Sequence, residues 1–306
     1  MKPIVAFVAT AYALSITLSL VVGLTGGHES PLVGLAYLSM FLPALSVLVV
    51  SSVMNERPRV QWDYLPLRFL PVAMFLIPVV LHAVMLPVEM TPGGGTVWQD
   101  WLRPQADGLY HTPPSRGWGT LTIEGLVGRI VLNAIVGLAA NSFMAFFEEI
   151  GWRAWLLPRL MDRMGARSAV VTTSFIWGLW HLPFQFSGIQ HIDGVSPMRL
   201  ASRFSFGIIA AGLVLGWLWL RTESIWLVSI CHGALNNWGQ YAFKYMKDSV
   251  TPEAIHTDLT ALTAGFLALL SIGALLLWRG LGERPALRQG LGGSPDSTSL
   301  GTDPAA

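Results

Sequence analysis

Eight stretches of this 306-residue chain, at 4–24, 31–54, 69–88, 130–147, 168–190, 204–220, 224–243 and 259–278, contain no Asp, Glu, Lys or Arg. A helix needs about 20 predominantly apolar residues to cross a hydrocarbon layer roughly 30 Å thick. These runs are rich in Leu, Val, Ile, Ala and Phe and meet that length. Composition agrees: 53% of residues are hydrophobic and 12% are charged, whereas an ordinary soluble domain carries about 25% charged residues. So few charges cannot cover a water-exposed surface of this size, and most of the surface must face lipid. The runs lack the every-second-residue alternation of a membrane barrel. The sequence therefore reads as all-α, a polytopic membrane helix bundle of about eight transmembrane helices. The net charge of +1 gives no field for nucleic acid. A single cysteine, Cys231, excludes internal disulfides and cysteine-based zinc or cluster sites.

The first run is longer than a signal-peptide core of about 7–15 residues and lacks a small-residue cleavage site, so it is expected to be retained. Basic residues place the cytoplasm. The connection at 25–30 has no Lys or Arg, whereas Arg57, Arg59 and Arg68 follow the second run. Arg153, Arg159, Arg163 and Arg167 follow the fourth, and Arg279, Arg284 and Arg288 follow the last. These fall on one side if both termini are cytoplasmic, in what is expected to be the cell membrane; Arg199, Arg203, Lys244 and Lys247 then lie outside. Residues 90–122, with Trp98, Trp101 and Trp118, read as an external loop at the interface, where indole rings prefer to sit. The end of the chain, rich in Gly, Ser, Thr, Pro and Asp, reads as a disordered tail. The expected organisation is N-terminal helices and loop at 1–122, a polar-motif core at 123–245, a last helix at 246–280 and the tail at 281–306.

Ionisable groups at the centre of a bilayer cost about 2.5–3.5 kcal/mol each on insertion scales, so they call for a reason. Glu148 and Glu149 end the fourth run, followed by Arg153. On a helix Glu149 and Arg153 share a face and suit an ion pair, while Glu148 points about 100° away. Glu148 could then face a cavity as a general base; equally, both could mark the membrane exit and sit in water. His181 lies deep in the fifth run, with Trp177 one turn earlier and Pro183 just after it. Alone, His181 reads as a core histidine bonded to neighbouring backbone, as does His82 in the third run. In the seventh run His232 and Asn236 are one turn apart, beside Gly233 and Ala234. They could stabilise an oxyanion or simply hydrogen-bond between helices. Three polar sites on three apolar segments favour one shared polar cavity. Close approach of the segments would be permitted by Gly137, Ala139, Ala140, Gly178 and Gly233.

The pattern Glu148-Glu149-x-x-x-Arg153, Trp177-x-x-x-His181 and His232-x-x-x-Asn236 resembles the CAAX-protease and bacteriocin-processing (CPBP, or Abi) family of intramembrane glutamate-dependent endopeptidases. The resemblance covers roughly 125–245. One position departs: the second motif usually opens with phenylalanine and here has Trp177, a swap expected to change packing more than chemistry. The resemblance implies proteolysis of a membrane-associated or lipidated peptide or protein within the bilayer. Carried over, Glu148 and His181 would activate a water, His232 and Asn236 would hold the oxyanion, and Glu149, Arg153 and Trp177 would support the site. No cofactor is required in that picture. A zinc alternative would use Glu148, His181 and His232, since three protein ligands and a water suit catalytic zinc.

Other protease chemistries fit poorly: there is no His-Glu-x-x-His helix, no Gly-x-Ser-Gly around Ser187 and no pair of membrane aspartates. Two readings outside proteolysis are a transporter with a buried His/Glu relay and a catalytically idle membrane scaffold or immunity protein. A transporter would be expected to carry inverted repeats, and the polar residues concentrate in the second half.

Overall fold

In a bilayer each segment must satisfy its own backbone, which a helix does internally. The computed structural model describes residues 1–60, 62–91, 104–112, 118–248 (side chains to residue 239) and 252–279, and it is helical almost throughout. The expected tail at 281–306 lies outside these residues, as do Trp98 and Trp101. The helices are α1 (Lys2–Leu24), α2 (Leu42–Met54), α3 (Leu70–Glu89), α4 (Ile123–Met164), α5 (Ala166–Trp180), α6 (Leu182–Phe186), α7 (Pro197–Thr222), α8 (Ile225–Asp248) and α9 (Pro252–Arg279). A 3-10 stretch, Val33–Phe41, leads into α2. Proline opens the first turn of α1, α2, α3 and α7, where its missing N–H has no intrahelical partner to lose. Two wide π turns interrupt α4, at Asn133–Gly137 and Ile150–Leu156.

Among the described residues, six segments are long and apolar enough to cross a membrane: Lys2–Leu24, Val33–Met54, Leu67–Glu89, Ile123–Met164, Pro197–Thr222 and Pro252–Arg279. The chain is an integral membrane protein of all-α architecture. The fifth expected run, 168–190, is not one span: α5 ends at Trp180, His181 caps it, and α6 starts with Pro183 in its first turn. The seventh run forms α8, long enough to cross but outside the strictly apolar set. Helix α5, at 15 residues, is too short to cross and ends at His181, while α8 carries the polar residues His232 and Asn236.

In the packing α8 lies against α4 and α3, α9 against α7 and α3, and α5 against α7. Glycine sets the closest approaches. A Cβ on Gly233 of α8 would stand 2.5 Å from the backbone N and Cα of Ser142 on α4, and one on Gly178 of α5 would stand 2.9 Å from the Ser205 carbonyl of α7. Ala139 and Ala140, expected to serve the same purpose, face outward and are exposed, because they lie on the opposite side of α4. Helix α1 braces the broken end of α5: Ser15 donates to the Trp180 carbonyl (3.2 Å), Tyr12 to the Ile176 carbonyl (2.8 Å), and the Trp180 indole donates back to the Ala11 carbonyl (3.0 Å).

The basic connections meet at one end of the bundle. Arg159 pairs with Glu56 at 2.7 Å and Arg59 with Asp162 at 2.9 Å, while Arg167 donates to the Leu277 carbonyl at 3.2 Å. In the 90–122 connection, β1 (Tyr110–His111) pairs antiparallel with β2 (Thr120–Leu121). Tyr110, Trp118 and Leu121 pack with Leu126, Ile130 and Trp238. Its described part is therefore a small hairpin seated on α4 and α8.

Candidate active site

Helix α4 carries Glu148 and Glu149 into the bundle at the start of the Ile150–Leu156 π turn. Both are buried, at 3% and 0% exposure, so the reading of two glutamates in water at a membrane exit does not hold. The expected ion pair forms: Arg153 Nη1 lies 2.9 Å from Glu149 Oε1. His232 of α8 adds a second partner, its Nδ1 2.7 Å from the same oxygen. A carboxylate so far from water must be paired or hydrogen-bonded, and Glu149 is both.

Glu148 is held differently. Its Oε2 accepts the indole N–H of Trp177 at 2.7 Å and that of Trp152 at 3.3 Å. Two neutral donors thus fix one oxygen of the carboxylate. Trp177 does more than pack. It is fully buried, its carbonyl accepts from His181 Nδ1 (2.9 Å), its ring meets the His232 ring edge-on at 5.0 Å, and the Arg153 guanidinium lies 4.6 Å from its ring centroid. The expectation that tryptophan at this motif position alters packing more than chemistry is corrected: phenylalanine has no N–H to give Glu148. The Glu148–Trp152 contact, one helical turn apart, has a signal in the sequence, the i, i+4 spacing of a carboxylate and an indole. The Glu148–Trp177 contact joins residues 29 apart and has no such signal.

With Nδ1–H donating to the Trp177 carbonyl, a neutral His181 carries its free lone pair on Nε2. Glu148 lies within electrostatic reach of both His181 and Arg153. Glu148, His181, His232 and Asn236 all line one cavity of about 490 Å³, within the roughly 300–1,000 Å³ range of small-ligand sites. Glu149, Arg153 and Trp177 stand behind its wall. Apolar residues complete the cavity, among them Met40, Leu81, Met85, Phe204, Leu262 and Phe266. His82 of α3 also faces it; the expected backbone bond is there, Nδ1 to the Pro78 carbonyl at 2.8 Å. Asn237, next to Asn236, ties α8 to α4: it donates to the Asn133 carbonyl (3.2 Å) and accepts from Asn141 (3.4 Å).

Among the described residues no three His, Cys, Asp or Glu side chains are grouped so as to hold a metal ion. Glu148 Oε2 is also already engaged by two N–H donors.

Fold and site together define a polytopic membrane protein with a carboxylate, two imidazoles and an amide facing a largely apolar internal cavity. Residues 130–238 match the model of the family described as Type II CAAX prenyl endopeptidase Rce1-like. The chain is also similar to CAAX prenyl protease 2 of Methanococcus maripaludis, with 30% identity over 95 residues. That alignment covers 30% of this chain and 35% of the relative. The matched segment, 130–238, holds every motif residue of the site.

Proposed function

We propose that this protein is an intramembrane endopeptidase of the CAAX type, cutting a membrane-associated peptide or protein near a lipid-modified carboxyl terminus. The observation that carries the reading is the convergence of Glu148, His181, His232 and Asn236 on one cavity. In the mechanism, a water sits between the free oxygen of Glu148 and Nε2 of His181. Its oxygen adds to the scissile carbonyl carbon as its proton passes to Glu148, the general base. His232, protonated on both nitrogens, donates Nδ1–H to Glu149 and Nε2–H to the developing oxyanion, and Asn236 supplies a second N–H. The tetrahedral intermediate then expels the amine, which takes the proton from Glu148, leaving a new carboxyl and a new amino terminus. Glu149 and Arg153 fix the position of His232, and the indoles of Trp152 and Trp177 fix Glu148.

The apolar cavity walls support a substrate that brings a hydrocarbon group, as a prenylated cysteine does. The catalytic unit in this reading is 123–245, enclosed by helices on either side of it. The protein would lie in the cell membrane with both termini and the basic end of the bundle in the cytoplasm. The test is cleavage of an internally quenched peptide, ending in a farnesylated cysteine and three further residues, by the full-length protein in liposomes. Glu148→Gln is expected to lower turnover at least about 1,000-fold, in the range lost with a general base or oxyanion donor, with its thermal unfolding retained. A folded Glu148→Gln variant that cleaves at the parental rate would refute the reading.

A further inference from the structure

We infer that Gln185 and Gln190 form a subsite that grips the main chain of the bound peptide, an inference that rests on the endopeptidase reading above. Gln185 stands one helical turn beyond His181, on α6, and is 2% exposed, yet among the described residues its side-chain oxygen has no hydrogen-bond partner. The side-chain oxygen of Gln190, in the segment that follows, is likewise buried and has no partner among the described residues. Both residues line the cavity that Glu148, His181, His232 and Asn236 face. Buried amide oxygens are nearly always paired, since leaving one unmade forfeits its hydration without return. Two such acceptors on one cavity wall, next to the proposed water-activating histidine, call for donors that arrive with a ligand.

A peptide brings those donors whatever its sequence. Each of its backbone N–H groups leaves water on entering the cavity and must find an acceptor there. In an extended strand, N–H groups on one edge recur every second residue, about 6.6–6.8 Å apart at a rise of 3.3–3.4 Å per residue. Acceptors along the wall thus suit an extended peptide, as when a strand is added to an open edge. Phe184 and Ile189, also on this wall, carry no side-chain hydrogen-bonding group, so between them the two amides are placed to set the register of the scissile bond. In the resting protein these oxygens are a liability, and the substrate relieves it.

That asymmetry sets the test, made with the full-length protein in liposomes and the quenched farnesylated peptide. Gln185→Met, of similar length and apolar, is expected to raise KM about tenfold with kcat within twofold, and Gln190→Met to raise it about threefold. Neither should lower the unfolding temperature, and Gln185→Met should hold or raise it, the opposite of what a structural glutamine would do. N-methylation of successive substrate amides should cost the parental enzyme about tenfold in kcat/KM at one position and Gln185→Met less than twofold there. An unchanged KM in Gln185→Met, or equal N-methylation penalties in both proteins at every position, overturns the subsite. If Glu148→Gln is inactive while Gln185→Met is unaffected, this inference alone falls; an active, folded Glu148→Gln removes the reading beneath it.

Discussion

Two neighbourhoods meet at consecutive residues of α4: the cavity that Glu148 faces and the sealed layer that holds Glu149. In the sealed layer one carboxylate oxygen takes both Arg153 and His232, and exposure is nil. On the cavity side the donors are neutral indoles, confined to one oxygen. A guanidinium and an imidazole commit a carboxylate to structure. Neutral N–H groups orient it and leave its second oxygen for a water. One residue of helix, about 100° of rotation, separates the two environments. Identical side chains side by side thus acquire different work from what surrounds them, and His232 connects the halves by leaning on one glutamate while facing the cavity of the other.

Glu149→Gln should break this contrast most severely. It leaves Arg153, 1% exposed, without its counter-charge, and removing one partner of a buried ion pair costs about 3–5 kcal/mol. We expect a large fall in unfolding temperature in detergent, with activity lost alongside; a fully stable variant that fails only in turnover would erase the distinction between the two glutamates. Gly233→Ala comes next. Its methyl would press on the Ser142 backbone, and overpacking costs about 1–3 kcal/mol. Because it pushes α8 from α4, it should lower stability and kcat together. Trp177→Phe is the mildest and sharpest probe, keeping an aromatic ring while removing the 2.7 Å donor to Glu148. We expect kcat to fall about tenfold, or about 1.4 kcal/mol, with KM and unfolding temperature nearly unchanged; an equal loss of stability would assign the indole to packing alone.

Much of the bundle was legible because lipid imposes a simple code of length and apolarity. Six of the eight charge-free runs became long apolar helices, and the two that departed are those bearing His181 and the His232–Asn236 pair. The ion pair of Glu149 with Arg153 was readable because it is local, one turn along a single helix. Contacts between distant segments were not: no spacing reveals that Trp177 donates to Glu148 or that His232 rests on Glu149. The outward turn of Ala139 and Ala140 depended on the rotation of α4 about its axis, which a run of uniformly apolar residues does not disclose. The cavity walls from α3 and α9 lie outside the motif-bearing segment and became apparent only when the helices were packed. Gln185 carries no motif, and the lack of a partner for its side-chain oxygen among the described residues is a property of the fold.

The wide turn at Ile150–Leu156 makes the site's dependence on chain length differ from one part of α4 to another. Such turns hold one residue more than the regular spiral would in the same stretch. One residue lost there could be absorbed by return to the ordinary spiral with both flanks kept in phase, whereas one lost from the regular helix between Phe143 and Phe147 would swing everything before the gap by about a hundred degrees against Glu148. Every motif side chain would still be present in the sequence, yet Ser142 would leave its seat against Gly233 and Asn141 its bond to Asn237. In this molecule, spelling and phase are separate requirements, and a deletion can silence the protein where no single letter of the motif has changed.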